Sequence, residues 1–312
     1  MSDLVTAFAP ASIGNVAVGF DMLGLALANV GDRVTAERTD GDSVSIRAVL
    51  AIDGEPHPYL STDPTQNTAS IAAQALWDAC GEGGIELTVH KGVPLQSGMG
   101  SSAASAVAAV VAANALLDKP LQIKKLLPYA IEGEKYASKG MHADNVAPSL
   151  LGGLVLCPSV IFPDTISLPV PNGISAVLVH PDLQVNTAIA RQGLAKGYSM
   201  EQWLSQQGYL AAFVAACMSK DISMIRRTLK DVVIEPQRAD AVPCFDAVKE
   251  AAERGGAFGF SLSGSGPSMF AMIESDNANN VAVAMQQACR THGIECESWV
   301  SPLDAPGAHV ED

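Results

Sequence analysis

The chain has 312 residues, of which 48% are hydrophobic and 17% charged, with 27 glycines. This composition excludes an intrinsically disordered protein, and the length predicts two domains or one unusually large one. With 19 basic and 33 acidic residues the formal charge is −14, which argues against nucleic acid and anionic membrane as partners, because both are bound through Lys and Arg.

The first half of the chain mixes strands and helices. Apolar runs and alternating patterns predict five strands, at residues 5–9, 33–36, 44–48, 85–91 and 154–156. A glycine-bearing turn region is expected from the first strand through residue 25. Apolar residues at helical spacing predict three helices, over residues 67–79, 103–115 and 121–137.

The second half begins after the stretch 157–173, which contains four prolines and a glycine and is the best candidate for a linker. Beyond it, strands are predicted at 174–180, 257–262, 268–273 and 294–300. Helices are predicted at 200–219, 222–229, 244–253 and 281–289. Because the order has no strict βαβ rhythm, it favours an α+β fold, with an N-terminal domain over 1–165 and a C-terminal domain over 166–312.

The cysteines and the N-terminus bear on where the protein acts. The six cysteines include no C-x-x-C pair, and a chain of this length needs no disulfide staples, so we expect free thiols in a reducing compartment. The opening MSDLVTAFAP has no basic leader before an apolar core, which argues against a signal peptide. The Ala/Val-rich run 103–117 is too short for a membrane span. We therefore expect a cytoplasmic protein.

The strongest motif is PLQSGMGSSAAS at residues 94–105, where a strand leads through Gly98 and Gly100 into an alanine-rich helix. Glycines permit left-handed φ and close approach of a ligand. A serine is expected to cap the helix, whose free N–H groups and dipole favour a phosphate. The alternative is a capped helix after an ordinary turn. The loop is neither a Walker A, a complete Rossmann fingerprint nor a nucleophile elbow.

A second polar segment, residues 10–27, embeds Asn15 and Asp21 among apolar neighbours. A buried carboxylate needs partners, because burying it alone is costly. In the functional interpretation Asp21 receives a ligand ammonium and Asn15 orients a polar group. In the structural interpretation each residue forms an Asx-turn.

Two more segments carry candidate residues. In 134–153, Glu134 lies near the end of a predicted helix, where its carboxylate suits Mg²⁺. His142, Asp144 and Asn145 follow on a loop, and His142 alone is better explained as a structural residue, because no zinc-ligand pattern accompanies it. In 256–273, the run SGSGP is either a flexible hairpin turn or a second glycine loop that packs against the first and closes the phosphate site.

Taken in order, PASIGNVAVGFD (10–21), PLQSGMGSSAA (94–104) and SLSGSGPS (261–268) resemble the three signature segments of the GHMP kinases. HADNVAPS (142–149) and VIEPQR (233–238) resemble in particular the branch that phosphorylates homoserine. The resemblance covers essentially the whole chain. It implies a two-domain α+β fold, with an N-terminal domain similar to ribosomal protein S5 domain 2, a ferredoxin-like C-terminal domain, and ATP between them.

The resemblance also implies a role for each matching residue. The triphosphate would be cradled by Pro94, Leu95, Gln96, Ser97, Gly98, Met99, Gly100, Ser101 and Ser102. Met99 stands where leucine is usual, a swap that conserves volume. Lys91 would lie near the phosphates, Asn67 would contact adenine, and Ser102 with Glu134 would hold Mg²⁺. L-homoserine would be bound by Asn15, Asp21, His142, Asn145, Thr187, Arg191 and Arg238.

This assignment agrees with the chemistry of the substrate. Asp21 suits the ammonium of homoserine, and an arginine fork suits its carboxylate. Phosphoryl transfer needs mainly positioning and charge neutralisation, which the resemblance gives to Asn145, Arg191 and Glu134 as catalytic residues. Some GHMP kinases use an aspartate base where this chain has Asn145, so we favour direct transfer without a strong base. The expected products are O-phospho-L-homoserine and ADP, in threonine biosynthesis.

Two alternatives stay open. The chain could be another GHMP kinase, of the mevalonate type, which would need a cationic pocket for a lone carboxylate and would not use Asp21. It could also be a catalytically silent regulator that binds a nucleotide or metabolite, because a fold does not guarantee function. The presence of Ser102, Glu134, Asn145 and Arg191 argues against a silent protein. The sequence does not decide the oligomeric state, and a homodimer is one arrangement open to it.

Overall fold

The computed structural model describes residues 3–138 and 140–311, and these contain eleven strands and ten α-helices. The strands are β1 Leu4–Gly14, β2 Leu23–Thr39, β3 Val44–Leu50, β4 Gly84–His90, β5 Leu154–Leu156, β6 Ile166–Leu168, β7 Ile174–Pro181, β8 Gly259–Leu262, β9 Met269–Glu274, β10 Cys296–Pro302 and β11 His309–Val310. The helices are α1 Thr68–Cys80, α2 Ser101–Leu116, α3 Leu127–Ser138, α4 Val146–Leu151, α5 Thr187–Gln192, α6 Met200–Ser219, α7 Ile222–Thr228, α8 Glu235–Arg238, α9 Phe245–Arg254 and α10 Ala278–Thr291.

The strands form two sheets. The first has the order β11-β1-β2-β4-β3, and β5 pairs with both β2 and β6. Its one parallel pair, β3 with β4, is joined by α1 as a crossover. The second sheet is antiparallel, in the order β10-β7-β9-β8. After β10 the chain returns to the first sheet, where β11 pairs with β1.

Three hydrophobic clusters fill the spaces between the two sheets and the helices that pack on them. The inner helix cluster lies between the first sheet and α1–α4. The intersheet cluster joins β1 and β2 to β7, β9 and α6. The outer cluster lies between the second sheet and helices α9 and α10. In α2, 14 of 16 residues are buried, and its small alanines allow close packing against the sheet and neighbouring helices. This burial explains why the helix that follows the glycine loop is apolar on all sides.

The predicted α+β class is confirmed, and several elements differ in extent from their predictions. Strand β1 continues to Gly14 and β2 begins at Leu23, so the expected turn region is a short loop between two long strands. Helices α4, α5 and α8 were missed, because four to six residues are too few for a periodic pattern. The boundary after residue 165 stays a prediction; β6 and β11, beyond it in sequence, pair within the first sheet.

Two broader expectations can be compared with the structure. All six cysteines are free, as predicted. Among the helices of the described residues, none is both long and apolar enough to cross a membrane.

Candidate active site

A cavity of about 590 Å³ opens between the two glycine loops. It lies within the size range of small-molecule sites. The cavity collects most of the residues predicted from sequence: Asn15, Asp21, Asn67, Lys91, Leu95, Gln96, Ser97, Gly98, Gly100, Ser101, Ser102, Glu134, His142, Asn145, Thr187, Arg191 and Arg238. Elements far apart in the chain therefore meet at one place.

The first glycine loop has the backbone that its sequence predicts. Gly98 and Gly100 have φ of 77° and 69°, in the left-handed region. The expected serine cap is wrong: Gly100 is the N-cap of α2, and the Ser101 hydroxyl donates to the Val93 carbonyl at 2.9 Å. Since the first N–H groups of a helix lack intrahelical partners, the start of α2 can still donate to an anion in the cavity.

The two glycine loops pack against each other. The Ser263 hydroxyl donates to the Gly98 carbonyl at 2.6 Å, and the Ser268 amide donates to the Ser97 carbonyl at 3.1 Å. A Cβ on Gly98 would lie 2.4 Å from the Ser263 carbonyl oxygen, so only glycine fits. The interpretation of residues 263–267 as a second loop that packs on the first is confirmed.

Two residues of the predicted phosphate cradle do not line the cavity. Met99 is fully buried in the intersheet cluster. Its amide donates to the Ser97 hydroxyl and its carbonyl accepts from the Ser12 amide, so Met99 shapes the loop and offers the ligand no group. Pro94 lines a second cavity, of about 840 Å³. The predicted ATP contacts of these two residues are therefore not supported.

Lys91 lies near the glycine loop but is engaged within the protein. Its ammonium pairs with Asp32 and donates to the Ser101 carbonyl at 2.9 Å and the Ser105 hydroxyl at 2.8 Å. These contacts use its three donors, so the predicted phosphate contact is not supported. Lys91 instead fixes the start of α2. Asn67 caps α1 by accepting from the Ala69 amide at 3.0 Å, while facing the cavity.

Ser102 and Glu134 are brought together as predicted. The Ser102 hydroxyl donates to Glu134 Oε2 at 2.7 Å. Burial raises the pKa of Glu134 to about 7. A hydroxyl and a carboxylate are hard oxygen ligands of the kind Mg²⁺ prefers, and Mg²⁺ usually keeps waters and phosphates as further ligands. The pair fits such an ion, although the described residues contain no cluster of three or more His, Cys, Asp or Glu that could hold a metal.

The loop between β1 and β2 is strained and carries Asp21. Asn15, Val16, Ala17 and Asp21 all have positive φ, between 43° and 67°, a conformation costly for non-glycine residues. Asn15 holds the loop by accepting from the Asp21 amide at 3.0 Å through Oδ1 and donating to the Gly264 carbonyl at 2.9 Å through Nδ2. Both the turn and the ligand-facing roles foreseen for Asn15 are compatible with these bonds.

Asp21 has a partner that the sequence did not indicate. Arg191 forms a bidentate ion pair with Asp21, in which Nη1 donates to Oδ2 at 2.8 Å and Nη2 donates to Oδ1 at 2.6 Å. His142 Nδ1 lies 3.4 Å from Asp21 Oδ2, and burial holds the pKa of His142 below its usual value. Asp21 is therefore part of an ion pair within the protein, in addition to the ligand ammonium that the sequence predicted for it.

A second arginine lies beside this pair. The guanidinium carbons of Arg191 and Arg238 each lie 5.2 Å from the ring centroid of Phe20, so both cations contact the same aromatic ring. Arg238 is 5% exposed and donates to the Gly264 carbonyl at 3.0 Å. Burial and the Arg191 charge lower its pKa. Its Nε is fully buried and is the one such side-chain N or O atom without a partner within the described ranges.

Asn145 and Thr187 complete the predicted set. Asn145 Oδ1 accepts from the Ser12 hydroxyl at 2.9 Å, and Thr187 Oγ1 lies 3.1 Å from Ser265 Oγ. Asp144 is buried beside them, and desolvation, with the Asp21 and Glu134 charges, raises its pKa to about 7. Sequence reasoning missed Ser12 and Ser265 as site residues, although both lie inside the signature segments.

The comparisons with known proteins agree with this geometry. Residues 67–153 match the GHMP kinases N terminal domain, and residues 210–291 match the GHMP kinases C terminal domain. The chain therefore belongs to the GHMP kinases, and the predicted two-domain fold is confirmed.

Relatives of higher sequence identity show which family within the GHMP kinases the chain resembles. The chain is 44% identical to the homoserine kinase of Xylella fastidiosa (strain M12) over 306 residues, which covers 97% of this chain and 93% of the relative. It is 42% identical to the homoserine kinase of Chlorobium phaeobacteroides (strain BS1), covering 98% and 99%. The crystal structure of homoserine kinase from Cytophaga hutchinsonii superposes with a TM-score of 0.94 at 41% identity, covering 100% and 98%. The chain belongs to the homoserine kinase family.

Proposed function

We propose that this enzyme transfers the γ-phosphoryl group of ATP to the hydroxyl of L-homoserine, giving O-phospho-L-homoserine and ADP in threonine biosynthesis. The observation that carries the proposal is the Asp21–Arg191 ion pair beside Arg238, in the same cavity as the glycine loop. An amino acid is a zwitterion, and this group of charges complements both of its ends.

Homoserine can join the ion pair without breaking it. A carboxylate has about four lone-pair sites, and Arg191 uses one on each oxygen of Asp21, so Asp21 can still accept from an ammonium. The guanidinium groups of Arg191 and Arg238, which both line the cavity, are suited to the substrate carboxylate. Each charge of the substrate then meets an opposite charge, which limits the penalty of burying it.

The nucleotide phosphates would lie against the start of α2. There the backbone N–H groups and helix dipole favour negative charge, which matters in a chain with a formal charge of −14. Ser102 and Glu134 would hold Mg²⁺, which supplies positive charge to the phosphates when bound. Arg191 is the protein cation best placed to neutralise charge during transfer, because Lys91 is engaged with Asp32.

Asn145 would position the acceptor hydroxyl. Because its Oδ1 accepts from Ser12, its amide group is held in one orientation and its Nδ2 can donate to a substrate oxygen. A carboxamide cannot take a proton at neutral pH, so the hydroxyl oxygen would attack the γ-phosphorus without a strong base. As the bond to ADP breaks, the hydroxyl proton would pass to an oxygen of the transferred phosphoryl group or to water. A loose transition state requires little activation of the nucleophile.

An assay of ADP release tests this function against its alternatives. The purified enzyme would be offered homoserine, mevalonate, galactose and shikimate with Mg·ATP, with Glu134→Gln as the control for contaminating kinases. We expect homoserine to give the highest kcat/KM. Preferred turnover of mevalonate would support the other kinase, and nucleotide binding without ADP release from any alcohol would support a silent regulator.

A further inference from the structure

The aromatic ring of Phe20 contacts both arginines of the proposed substrate pocket. The guanidinium carbon of Arg191 and that of Arg238 each lie 5.2 Å from the ring centroid, within the range of a cation–π interaction. Phe20 is half-buried and is not among the described residues that line the cavity. The ring therefore acts on a ligand through the two side chains that it contacts.

The charges of the two arginines explain why such a contact matters. Like charges repel each other more strongly where water is partly excluded. Burial, followed by the Arg191 charge, lowers the pKa of Arg238. Arg191 is compensated by its ion pair with Asp21, whereas the Arg238 guanidinium donates one hydrogen bond among the described residues, to the Gly264 carbonyl. An aromatic ring attracts a cation, so Phe20 offsets part of the cost of holding the second arginine there.

The backbone that carries this ring is tied to the backbone that carries one of its arginines. Gln206 of α6 donates to the Val18 carbonyl at 3.0 Å and accepts from the Val232 amide at 2.9 Å. Val18 lies on the loop that contains Phe20, and Val232 lies in the segment that leads to Arg238. One side chain thus fixes both segments relative to each other, and the ring has a defined place beside the guanidinium groups.

We propose that Phe20 is a positioning residue, which holds the guanidinium groups of Arg191 and Arg238 in the arrangement that receives the substrate carboxylate. This inference rests on the proposed function, in which the two arginines bind the carboxylate of homoserine. Donors that are already held in place lose less side-chain entropy when they bind a planar carboxylate. Phe20 thereby favours acceptors that carry a carboxylate over alcohols that lack one.

Steady-state kinetics of Phe20→Leu with two acceptors tests this role. Leucine is also apolar but has no ring. We expect kcat/KM for homoserine to fall about tenfold, which corresponds to about 1.4 kcal/mol. The loss should appear mainly in KM for homoserine, while KM for ATP stays the same.

The second acceptor is 3-aminopropan-1-ol, which has the ammonium and the hydroxyl of homoserine but no carboxylate. The wild type should use it poorly, and Phe20→Leu should lose at most about twofold more, because the arginines have no carboxylate to bind. Where its turnover is too slow to measure, its inhibition constant against homoserine takes the place of kcat/KM.

Three further variants separate the ring from its bulk. Phe20→Tyr keeps the ring and should retain kcat/KM for homoserine within about threefold, whereas Phe20→Met lacks the ring and should behave like Phe20→Leu. Phe258→Leu is the matched control, because Phe258 is also half-buried and contacts Arg226, at 4.6 Å, but does not line the cavity. It should leave the kinetics with both acceptors unchanged. Circular dichroism and the urea midpoint of each variant report its folding.

Equal losses with homoserine and 3-aminopropan-1-ol would show that Phe20 supports the whole loop, and would overturn the positioning role. Ring-free variants that keep full kcat/KM for homoserine, or that do not fold, would overturn it as well. These outcomes leave the proposed function intact, because the wild type is assayed with homoserine beside the variants. A wild type that does not phosphorylate homoserine would instead overturn the proposed function, and this role with it.

Discussion

At the scale of single residues, the site depends on a buried carboxyl group, Glu134, that is poised between its two protonation states. Glu134→Gln keeps the hydrogen bond with Ser102 available but removes the negative charge that attracts a cation. We expect turnover with homoserine to fall about a hundredfold or more, while circular dichroism stays the same. Glu132→Gln, a half-buried position on the same helix, is the matched control. Full activity of Glu134→Gln at saturating Mg²⁺ would show that the carboxylate is not needed.

The raised pKa of Glu134 also predicts how stability depends on pH. The pKa is about 7 in the folded protein against a usual 4.5, so the folded state binds the proton more tightly than the unfolded state. The stability from the neutral acid is fully present below about pH 4.5 and is lost as pH rises through 7. In metal-free buffer, Glu134→Gln should therefore match the wild type at acid pH and exceed it at pH 8.5, by at most about 3 kcal/mol.

Urea unfolding of both proteins at pH 5 and pH 8.5 measures this difference. Asp144 also has a raised pKa, to which the Glu134 charge contributes, so the measured difference includes the relief of Asp144 when the Glu134 charge is removed. A stability difference that is equal at the two pH values would mean that the Glu134 carboxylate is not destabilised by burial.

Asp21 discriminates an amino acid from other alcohols in the proposed function. Asp21→Asn should weaken homoserine binding and leave ATP binding intact, because a buried ammonium–carboxylate contact is worth about 2–4 kcal/mol. That corresponds to a rise in KM of roughly 30- to 1,000-fold. With 4-hydroxybutyrate, which lacks the amino group, the wild type should already be poor and the variant should lose little more. Losses that simply add across the two substrates would show that Asp21 does not meet the ammonium.

Residue types were predictable from the sequence, but their pairings were not. Aspartate and arginine were both expected in the substrate pocket, yet the fork of Arg191 onto Asp21 joins residues 170 positions apart. The same holds for Lys91, which pairs with Asp32 across 59 positions. A sequence motif indicates which chemistry a side chain can perform. Tertiary packing determines which other residue that side chain contacts.

At the scale of elements, the contact between the two glycine loops should limit what residue 98 can be. Gly98→Ala adds a Cβ that would lie 2.4 Å from the Ser263 carbonyl oxygen and 2.7 Å from that of Gly266. Gly54→Ala is the matched control, because Gly54 also has positive φ but its Cβ would meet no atom within 4 Å. The control should cost about 1–2 kcal/mol for the left-handed backbone, and Gly98→Ala about 1–3 kcal/mol more from overpacking.

Urea unfolding measures these two costs, and nucleotide titration measures the effect on the site. Gly98→Ala should also weaken ATP binding, since the loops must move apart, whereas Gly54→Ala should not. Equal effects of both substitutions on stability and ATP affinity would mean that the loops do not need to touch.

Long elements were predictable because each repeats a pattern many times. Helix α6 was predicted at its observed bounds, Met200–Ser219, since 20 residues give several turns of periodic signal. The six residues of α5 give fewer than two turns. The helix that carries Thr187 and Arg191 is therefore too short for a periodic pattern to predict. Part of the candidate active site therefore lies on short helices that the sequence pattern alone does not predict.

At the scale of the whole molecule, the layers are joined by packing that no local pattern predicts. The intersheet cluster combines residues from β2 with residues from β7 and β9. The two-residue strand β11 then ties the end of the chain to β1. Alternation of apolar residues shows that a strand has a buried face, but it does not say which other sheet covers that face.

This layering predicts that the molecule unfolds as one unit. Chains of this size often unfold domain by domain, but here a continuous apolar cluster joins the sheets, and large hydrophobic interfaces couple domains. Each cluster contains a buried cysteine whose reactivity reports its unfolding: Cys157 in the inner helix cluster, Cys217 in the intersheet cluster and Cys289 in the outer cluster.

Pulsed alkylation across a urea series at fixed protein concentration measures when each thiol becomes accessible, by mass spectrometry of each peptide. We expect the three thiols to share one urea midpoint. The exposed Cys80 should react at every urea concentration and serves as the labelling control. Reaction of Cys289 at clearly lower urea than Cys157 would show that the outer layer unfolds first, and that the intersheet cluster does not couple the two sheets.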